Sequence, residues 1–378
     1  MKYMGSKRAM LGNGLGDALR QAVSDADRVF DLFTGSAAVA WHVAQRFDKE
    51  VIAGDLQLYS TVIAGAVIER TEAVTSLKWA DNWFGRAHNM LTSYSWWNAL
   101  QAHQAKLAST GAAEASQEAQ SFELGDRFSI SSAYGGYYFS PWQSAWIDAL
   151  RKTLPSDRGH RAIALASLIQ AASRCAASPG HTAQPFKPNE TAGPYLLEAW
   201  RKDLPAVVAE RIKDIAPRHA MKKGQAHCMD AVELAKSAKQ GDLAFLDPPY
   251  SGVHYSRFYH VLESVAQGVV GPVEGVGRYP HQDQRPSSDF SMSSRSRAAF
   301  DQLLAILAER RASVIITFPA GKASNGLAGD DVKALASSHF NIEEEKVSSR
   351  FSTLGGDMKH RAARKDAFEL ILKLSNPS

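Results

Sequence analysis

Two adjacent prolines fix where one strand of this chain must end. Leu243-Ala244-Phe245-Leu246 is an apolar run of strand length, and Pro248-Pro249 follow after a single residue. Neither proline can donate to a sheet ladder, so pairing stops there. Asp247-Pro248-Pro249-Tyr250 therefore presents an acid, a stiff backbone corner and an aromatic ring at the carboxyl end of a buried strand. In open α/β sheets, ligands bind at that end. The ordinary reading is a strand closing on a proline turn with Asp247 as its cap.

Upstream, the chain repeats the pattern that such a sheet needs. Val29-Phe30-Asp31-Leu32-Phe33 reads as a first strand, Thr34-Gly35-Ser36-Ala37-Ala38 as a small-residue turn, and Val39 to Phe47 as a helix. Strand, small turn and helix form the nucleotide-binding arrangement of wound sheets: small residues let a ligand approach the backbone, and the helix N-terminus favours an anionic group. Ala37 fits this turn if it keeps a negative φ. A second strand, Val51-Ile52-Ala53-Gly54-Asp55, ends in an acid twenty residues after Gly35. In wound sheets an acid so placed accepts the ribose hydroxyls of a nucleoside cofactor. No Gly-x-Gly-x-x-Gly loop follows the first strand, so a nicotinamide dehydrogenase is a poor fit.

Composition narrows the partners. The 378 residues allow one large domain or two, and 45% hydrophobic content is ordinary for a globular protein. No apolar run approaches the ~20 residues that span a bilayer. The opening Met1-Lys2-Tyr3-Met4-Gly5-Ser6-Lys7-Arg8 lacks a signal peptide's apolar core, so a cytoplasmic protein without a membrane partner is expected. Cys175 and Cys228 are too few for a disulfide framework or a cysteine-rich zinc site. His227, Cys228 and Asp230 lack the paired spacing of metal ligands, so no metal is expected. A net charge of +4 suits a nucleic-acid partner.

Asp-Pro-Pro-Tyr, the Asp31-to-Ala37 loop and the opening Tyr3, Gly5 and Lys7 together resemble the Dam-type (D12 class) adenine-N6 DNA methyltransferases. Ala37 stands where that family usually has the second glycine of its loop. The run after the catalytic turn is also similar, with Tyr255, Tyr259, His260, Leu262 and Glu263 at matching places. The resemblance implies a doubly wound, Rossmann-like methyltransferase sheet (α/β) with an inserted, mainly helical target-recognition region. It divides the chain into a cofactor-binding part over 1–77, the insert over 78–223 and the part carrying the tetrapeptide over 224–378. It implies S-adenosyl-L-methionine as cofactor and double-stranded DNA as substrate. Tyr3, Lys7, Phe33, Gly35, Asp55, Asp230 and Asp247 would bind the cofactor, with Lys7 meeting the methionine carboxylate and Asp230 the adenine amino group. Asp247, Pro248 and Tyr250 would be catalytic. A loop over Ser251 to Phe258 would cover the site. Whether a cognate restriction endonuclease or phage-defence system accompanies the protein is left open.

From about Lys78 to Lys223 the pattern turns helical. Trp79, Trp83, Trp96, Trp97, Trp142 and Trp146 read mostly as helical core. Arg174, His181 and Lys187 flank the Pro179-Gly180 turn, and Gly268 to Ser294 reads as a long surface excursion carrying Arg278. The stretch Ser313 to Phe318 is a buried strand whose Phe318 sits where a base-stacking ring could stand. Glu344 to Ser352 and Ala367 to Leu372 suggest a closing strand pair, with the basic cluster Arg361, Arg364 and Lys365 between them. These three, with Arg278, are the candidate phosphate contacts. Three rival functions share parts of the pattern: an adenine-N6 RNA methyltransferase, a cytosine-N4 methyltransferase, and a nucleic-acid-binding protein with an inactive methyltransferase fold.

Overall fold

A computed structural model describes residues 7–350 and 366–377. In chain order its strands are β1 (Arg28–Asp31), β2 (Glu50–Asp55), β3 (Gln225–Cys228), β4 (Leu243–Leu246), β5 (Val273–Glu274), β6 (Tyr279–Pro280), β7 (Ser313–Pro319), β8 (Asn341–Arg350) and β9 (Asp366–Ser375). Seven of them build one sheet in the order β3-β2-β1-β4-β7-β9-β8. The pairs from β3 to β7 are parallel, and β9 runs antiparallel between β7 and β8. This is a doubly wound α/β sheet of Rossmann-like methyltransferase type. The expected closing pair is β8 and β9.

Chain contacts group into two compact units. The sheet unit holds the residues up to Glu72, His219–Tyr255 and Pro286 onward. The helical unit holds Ala73–Arg218 and also Ser256–Arg285.

In the sheet unit, alternation along each strand sends side chains to opposite faces. Phe30 and Leu32 join Leu246, Ile316, Phe318 and Leu372 in one continuous apolar layer, covered by Leu303 and Leu307 of the helix Ser296–Glu309. Phe318 is therefore core, and its ring is not presented to a base. Asp31 points to the other face, toward the helix Ala38–Arg46. Where β1 and β4 begin, Arg28 grips Asp242 through two bonds of 3.0 and 2.6 Å, and the Asp27 amide donates to the Gly241 carbonyl. These contacts set the register that brings Asp31 and Asp247 to one edge.

In the helical unit, the tryptophans are packed as the sequence suggests. Trp83 is fully buried, and Trp146 meets Trp97 and Trp142 edge-on. The helix Pro141–Lys152 opens on a capping box between Ser140 and Gln143. Residues Ala112–Gln120, ambiguous in sequence, form a helix. The stretch read as a long surface excursion contains the small β5–β6 hairpin. The loop expected over Ser251 to Phe258 is shorter, because a helix already begins at Tyr255 and runs to Gln267.

Arg28→Ala should cost about 3 kcal/mol, since it strands Asp242, a buried carboxylate, without its cation. Asp242→Ala should cost less, because the half-exposed guanidinium can return to water. Equal or negligible losses in urea unfolding would show that the pair does not anchor the strands.

Candidate active site

Three parallel strands end in acids at one edge of the sheet: β1 in Asp31, β2 in Asp55, and β4 just before Asp247. Winding reverses between β1 and β4, which opens a crevice outside their carboxyl ends.

Asp55 organises the small-residue turn. Its Oδ2 accepts from the Gly35 amide and the Ser60 hydroxyl, both at 2.9 Å, and its Oδ1 accepts from the Gln57 amide at 2.9 Å. A carboxylate oxygen takes about two donors, so Oδ1 keeps one acceptor position. Burial raises the Asp55 carboxyl, against the pull of these bonds. The single Ser60 proton is shared between Asp55 Oδ2 and the Gly35 carbonyl, which lies 2.6 Å from the hydroxyl. Within the turn, Gly35 has φ +50° and Ala37 has φ +59°. The negative φ expected for Ala37 is not what the turn uses. An alanine in this left-handed region costs roughly 1–2 kcal/mol.

Asp31 was passed over in the sequence as a strand residue. Its Oδ2 accepts from the Ala40 amide at 3.1 Å and the Phe33 amide also eases the carboxyl, while Oδ1 is buried with no well-aligned hydrogen bond among the described residues. Burial, with Asp247 and Asp55 adding to it, pushes its carboxyl up to about 8. A buried acceptor with an unmet bond, among like charges, is complementary to a cation.

Two groups brace one oxygen of Asp247. Lys7 Nζ lies 3.0 Å from its Oδ1, and the Thr317 hydroxyl donates to the same oxygen at 3.0 Å. Oδ2 takes no partner among the described residues. Burial pushes this carboxyl up to about 6, opposed by Lys7 and reinforced by Glu369. Lys7, expected to meet a cofactor carboxylate, instead lies between Asp247 and Glu369, 3.0 Å from each. Burial would lower its pKa, but the two carboxylates override that and raise it.

The proline corner is held from outside. Asn325 donates through Nδ2 to the carbonyls of Pro249 at 3.0 Å and Phe290 at 3.1 Å, and the Ser324 hydroxyl accepts from the Gly252 amide. The Pro248 carbonyl takes no partner among the described residues. Tyr250 packs against the sheet's apolar layer, and burial pushes its hydroxyl up to about 12. Phe33 sets its ring edge-on to Phe290, 5.0 Å between centroids. Asp230 caps the short helix Ala231–Ala235 by accepting from the Val232 amide. No group of three or more His, Cys, Asp or Glu side chains is disposed to hold a metal ion among the described residues.

Tyr3, Arg361, Arg364 and Lys365 lie outside the described residues. Arg278 belongs to the helical unit, where its guanidinium donates to the carbonyls of Ala133 and Ser132 and stacks 4.0 Å from the Tyr137 ring. Two other arginines there are less engaged with the backbone. Arg257 and Arg285 both lie over the Tyr279 ring, at 4.6 and 5.5 Å, with no carboxylate within ion-pair distance among the described residues. His260 lies edge-on to Tyr134 and Tyr138 within the same unit, and burial lowers its pKa to about 4. It is a neutral core histidine.

Residues 3–83 and 187–270 match the protein family described as D12 class N6 adenine-specific DNA methyltransferase. The chain is 27% identical over 284 residues to a type II methyltransferase, M.FokI, of Planomicrobium okeanokoites, covering 70% of this chain and 37% of the relative. It is 24% identical over 320 residues to the modification methylase StsI of Streptococcus sanguinis, covering 80% and 42%. The chain thus spans about two fifths of the length of these relatives.

The raised pKa of Asp31 carries a stability signature. A carboxyl raised in the folded state favours folding below its unfolded value, and that contribution is lost as pH rises through the folded value. Ligand-free protein should therefore lose stability between about pH 4 and 8 through this group, and Asp31→Asn should flatten that part of the profile. Parallel melting curves for the two proteins across this range would remove Asp31 from the account.

Proposed function

We propose that this chain, matched to the D12 class over the segments that build β1, β2, β4 and the proline turn, methylates adenine N6 in double-stranded DNA using S-adenosyl-L-methionine. The observation that carries this reading is Asp247 at the switch point. One of its oxygens is immobilised by Lys7 and Thr317; the other, like the carbonyl of the next residue, Pro248, takes no partner among the described residues.

The site's residues fit that cofactor. The unmet Oδ1 of Asp31 suits an ammonium group, and Oδ1 of Asp55 retains capacity for a ribose hydroxyl. The Gly35 turn admits a ligand close to the backbone, and Phe33 and Asp230 complete the proposed lining. When bound, S-adenosylmethionine supplies an electrophilic methyl group; the protein supplies alignment.

Adenine N6 is a weak nucleophile because its lone pair is delocalised into the ring. Asp247 Oδ2 and the Pro248 carbonyl can accept from its two amino protons. That pairing draws the nitrogen toward tetrahedral geometry and stabilises the positive charge it develops. Tyr250 offers a ring on which a base can stack. The base must leave the helix, since N6 is engaged in pairing within the duplex. Asp247 has to be ionised to act this way, so activity should fall in acid, below about pH 6.

Phosphate contacts are assigned to Arg361, Arg364 and Lys365. In the helical unit, Arg257 and Arg285 join Arg278 as candidates for the role; Arg278 donates to two carbonyls and Arg285 to one, the carbonyl of Pro280. A restriction endonuclease as partner is suggested by what the two relatives are called.

Asp247→Asn keeps the shape of the side chain and loses its charge, so methyl transfer to duplex DNA should fall roughly a hundredfold or more. Cofactor binding by calorimetry should stay within a few fold. Digested DNA from the wild-type reaction should contain N6-methyladenine by mass spectrometry. Retained activity in the variant, or a product that is only N4-methylcytosine or modified RNA, would falsify this reading.

Neutralising Arg361, Arg364 and Lys365 together should reduce the slope of log affinity against log salt by up to about three phosphate equivalents. An unchanged slope would assign that cluster to ordinary solvated surface.

A further inference from the structure

Glu369 lies on β9, beyond both segments that match the family. It pairs in register with Pro319 of β7, the strand that also carries Thr317. Its side chain is buried, an unusual place for a carboxylate unless a cation accompanies it. That cation is Lys7, whose Nζ is 3.0 Å from Glu369 Oε2 and 3.0 Å from Asp247 Oδ1. The two carboxylates come from residues 362 and 240 positions away, so only the finished sheet brings them together.

A lysine side chain is long, with several rotatable bonds, and an ammonium is a point charge without the directional fork of a guanidinium. One carboxylate would leave it free to swing around that oxygen. Two carboxylates on different strands fix both ends of its reach. Asp247 Oδ1 is then fully occupied by Lys7 and Thr317, and only Oδ2 remains for a substrate.

We propose that Glu369 is a positioning residue for methyl transfer: it holds the Lys7 ammonium against Oδ1 of Asp247 and so directs Oδ2 to the target amino group. This rests on the adenine-methylation reading of the site. Glu369 touches neither the proposed base nor the cofactor in this role. It acts through Lys7.

Glu369 lies close enough to act on Asp247 through its charge, so the role has a pH readout that a loss of packing alone would not move. The groups that face Asp247 are Lys7 before the first helix, Asp31 on β1, Tyr250 in the same turn, Thr317 on β7 and Glu369 on β9. Burial raises the Asp247 carboxyl most, Lys7 lowers it, and the negative charge of Glu369 raises it again. Removing that charge should let Asp247 ionise at lower pH.

The test uses the full chain with duplex DNA and S-adenosylmethionine. Glu369→Gln should lower kcat at least tenfold while leaving KM for the cofactor within about twofold, and should move the acidic limb of the kcat profile to lower pH. Glu369→Asp, which keeps the charge, should return that limb toward its wild-type position. In a Lys7→Met background, adding Glu369→Gln should change kcat less than twofold, because the group it acts through is gone. That double variant leaves neither member of the pair unpaired, so it remains informative if Glu369→Gln alone fails to fold. A Glu369→Gln enzyme with wild-type kcat, an unmoved acidic limb, or effects that multiply independently of Lys7→Met would overturn the inference. In each of those cases the wild type still makes N6-methyladenine. A wild type that makes none overturns the functional reading, and this inference with it.

Discussion

Like charge gathered at one edge is the constraint from which the rest of the sheet unit follows. Asp31, Asp55 and Asp247 end three parallel strands, and a fourth acid, Glu369, reaches in from β9. Carboxylates so close together cannot all ionise freely in a buried setting. The chain answers each one differently. Asp55 receives three donors, Asp247 shares Lys7 with Glu369, and Asp31 is pushed toward its neutral form. The residual imbalance is negative and sits where the winding reverses. A cationic ligand is the natural complement, which connects the electrostatics of the fold to the chemistry proposed for it.

The sheet's antiparallel end also matters to the site. β9 enters between β7 and β8, and its register sets Glu369 opposite Pro319, two residues past Thr317. Thr317, which bonds Asp247, and Glu369, which holds Lys7 against it, therefore come from strands on one side of β4. The side toward β1 supplies Asp31 and the turn. Asp247 stands where these two sets meet, with the proline corner pinned from behind by Asn325. Two prolines stiffen the corner, but they cannot aim it. Side chains from a distant loop do that.

How much of this was legible in the sequence follows from the range of the interactions. The strand Leu243–Leu246, the turn after β1 and the acid of β2 are local patterns, readable from apolar runs and small residues. The closing pair β8 and β9 was readable for the same reason. Glu369, Thr317 and Asn325 were not, because their roles depend on partners 70 to 362 residues away. Nothing in the run Ala367-Phe368-Glu369-Leu370 distinguishes an acid turned inward from one facing solvent. Lys7 was singled out, yet its direction was set by that same hidden carboxylate. Arg278 shows the converse: its place in a glycine-rich stretch was legible, but not that folding would turn two of its donors to the carbonyls of Ala133 and Ser132.

Ala37 shows why a local departure can leave the site intact. Its backbone adopts φ +59°, a region that glycine enters without penalty and alanine does not. The turn does not depend on glycine's freedom to stay there. The Asp55 carboxylate holds the Gly35 amide, the Ser60 hydroxyl holds the Gly35 carbonyl, the Thr34 hydroxyl holds the Asp31 carbonyl, and the Ala37 amide closes onto Thr34. Four hydrogen bonds at roughly 1 kcal/mol each outweigh the strain of one left-handed alanine. The consequence is a division of labour between the two neighbouring acids. Asp55 is largely consumed in stabilising the turn, so a cofactor can draw on only part of it. Asp31, with a buried oxygen left unmatched, holds the stronger unmet demand for a ligand.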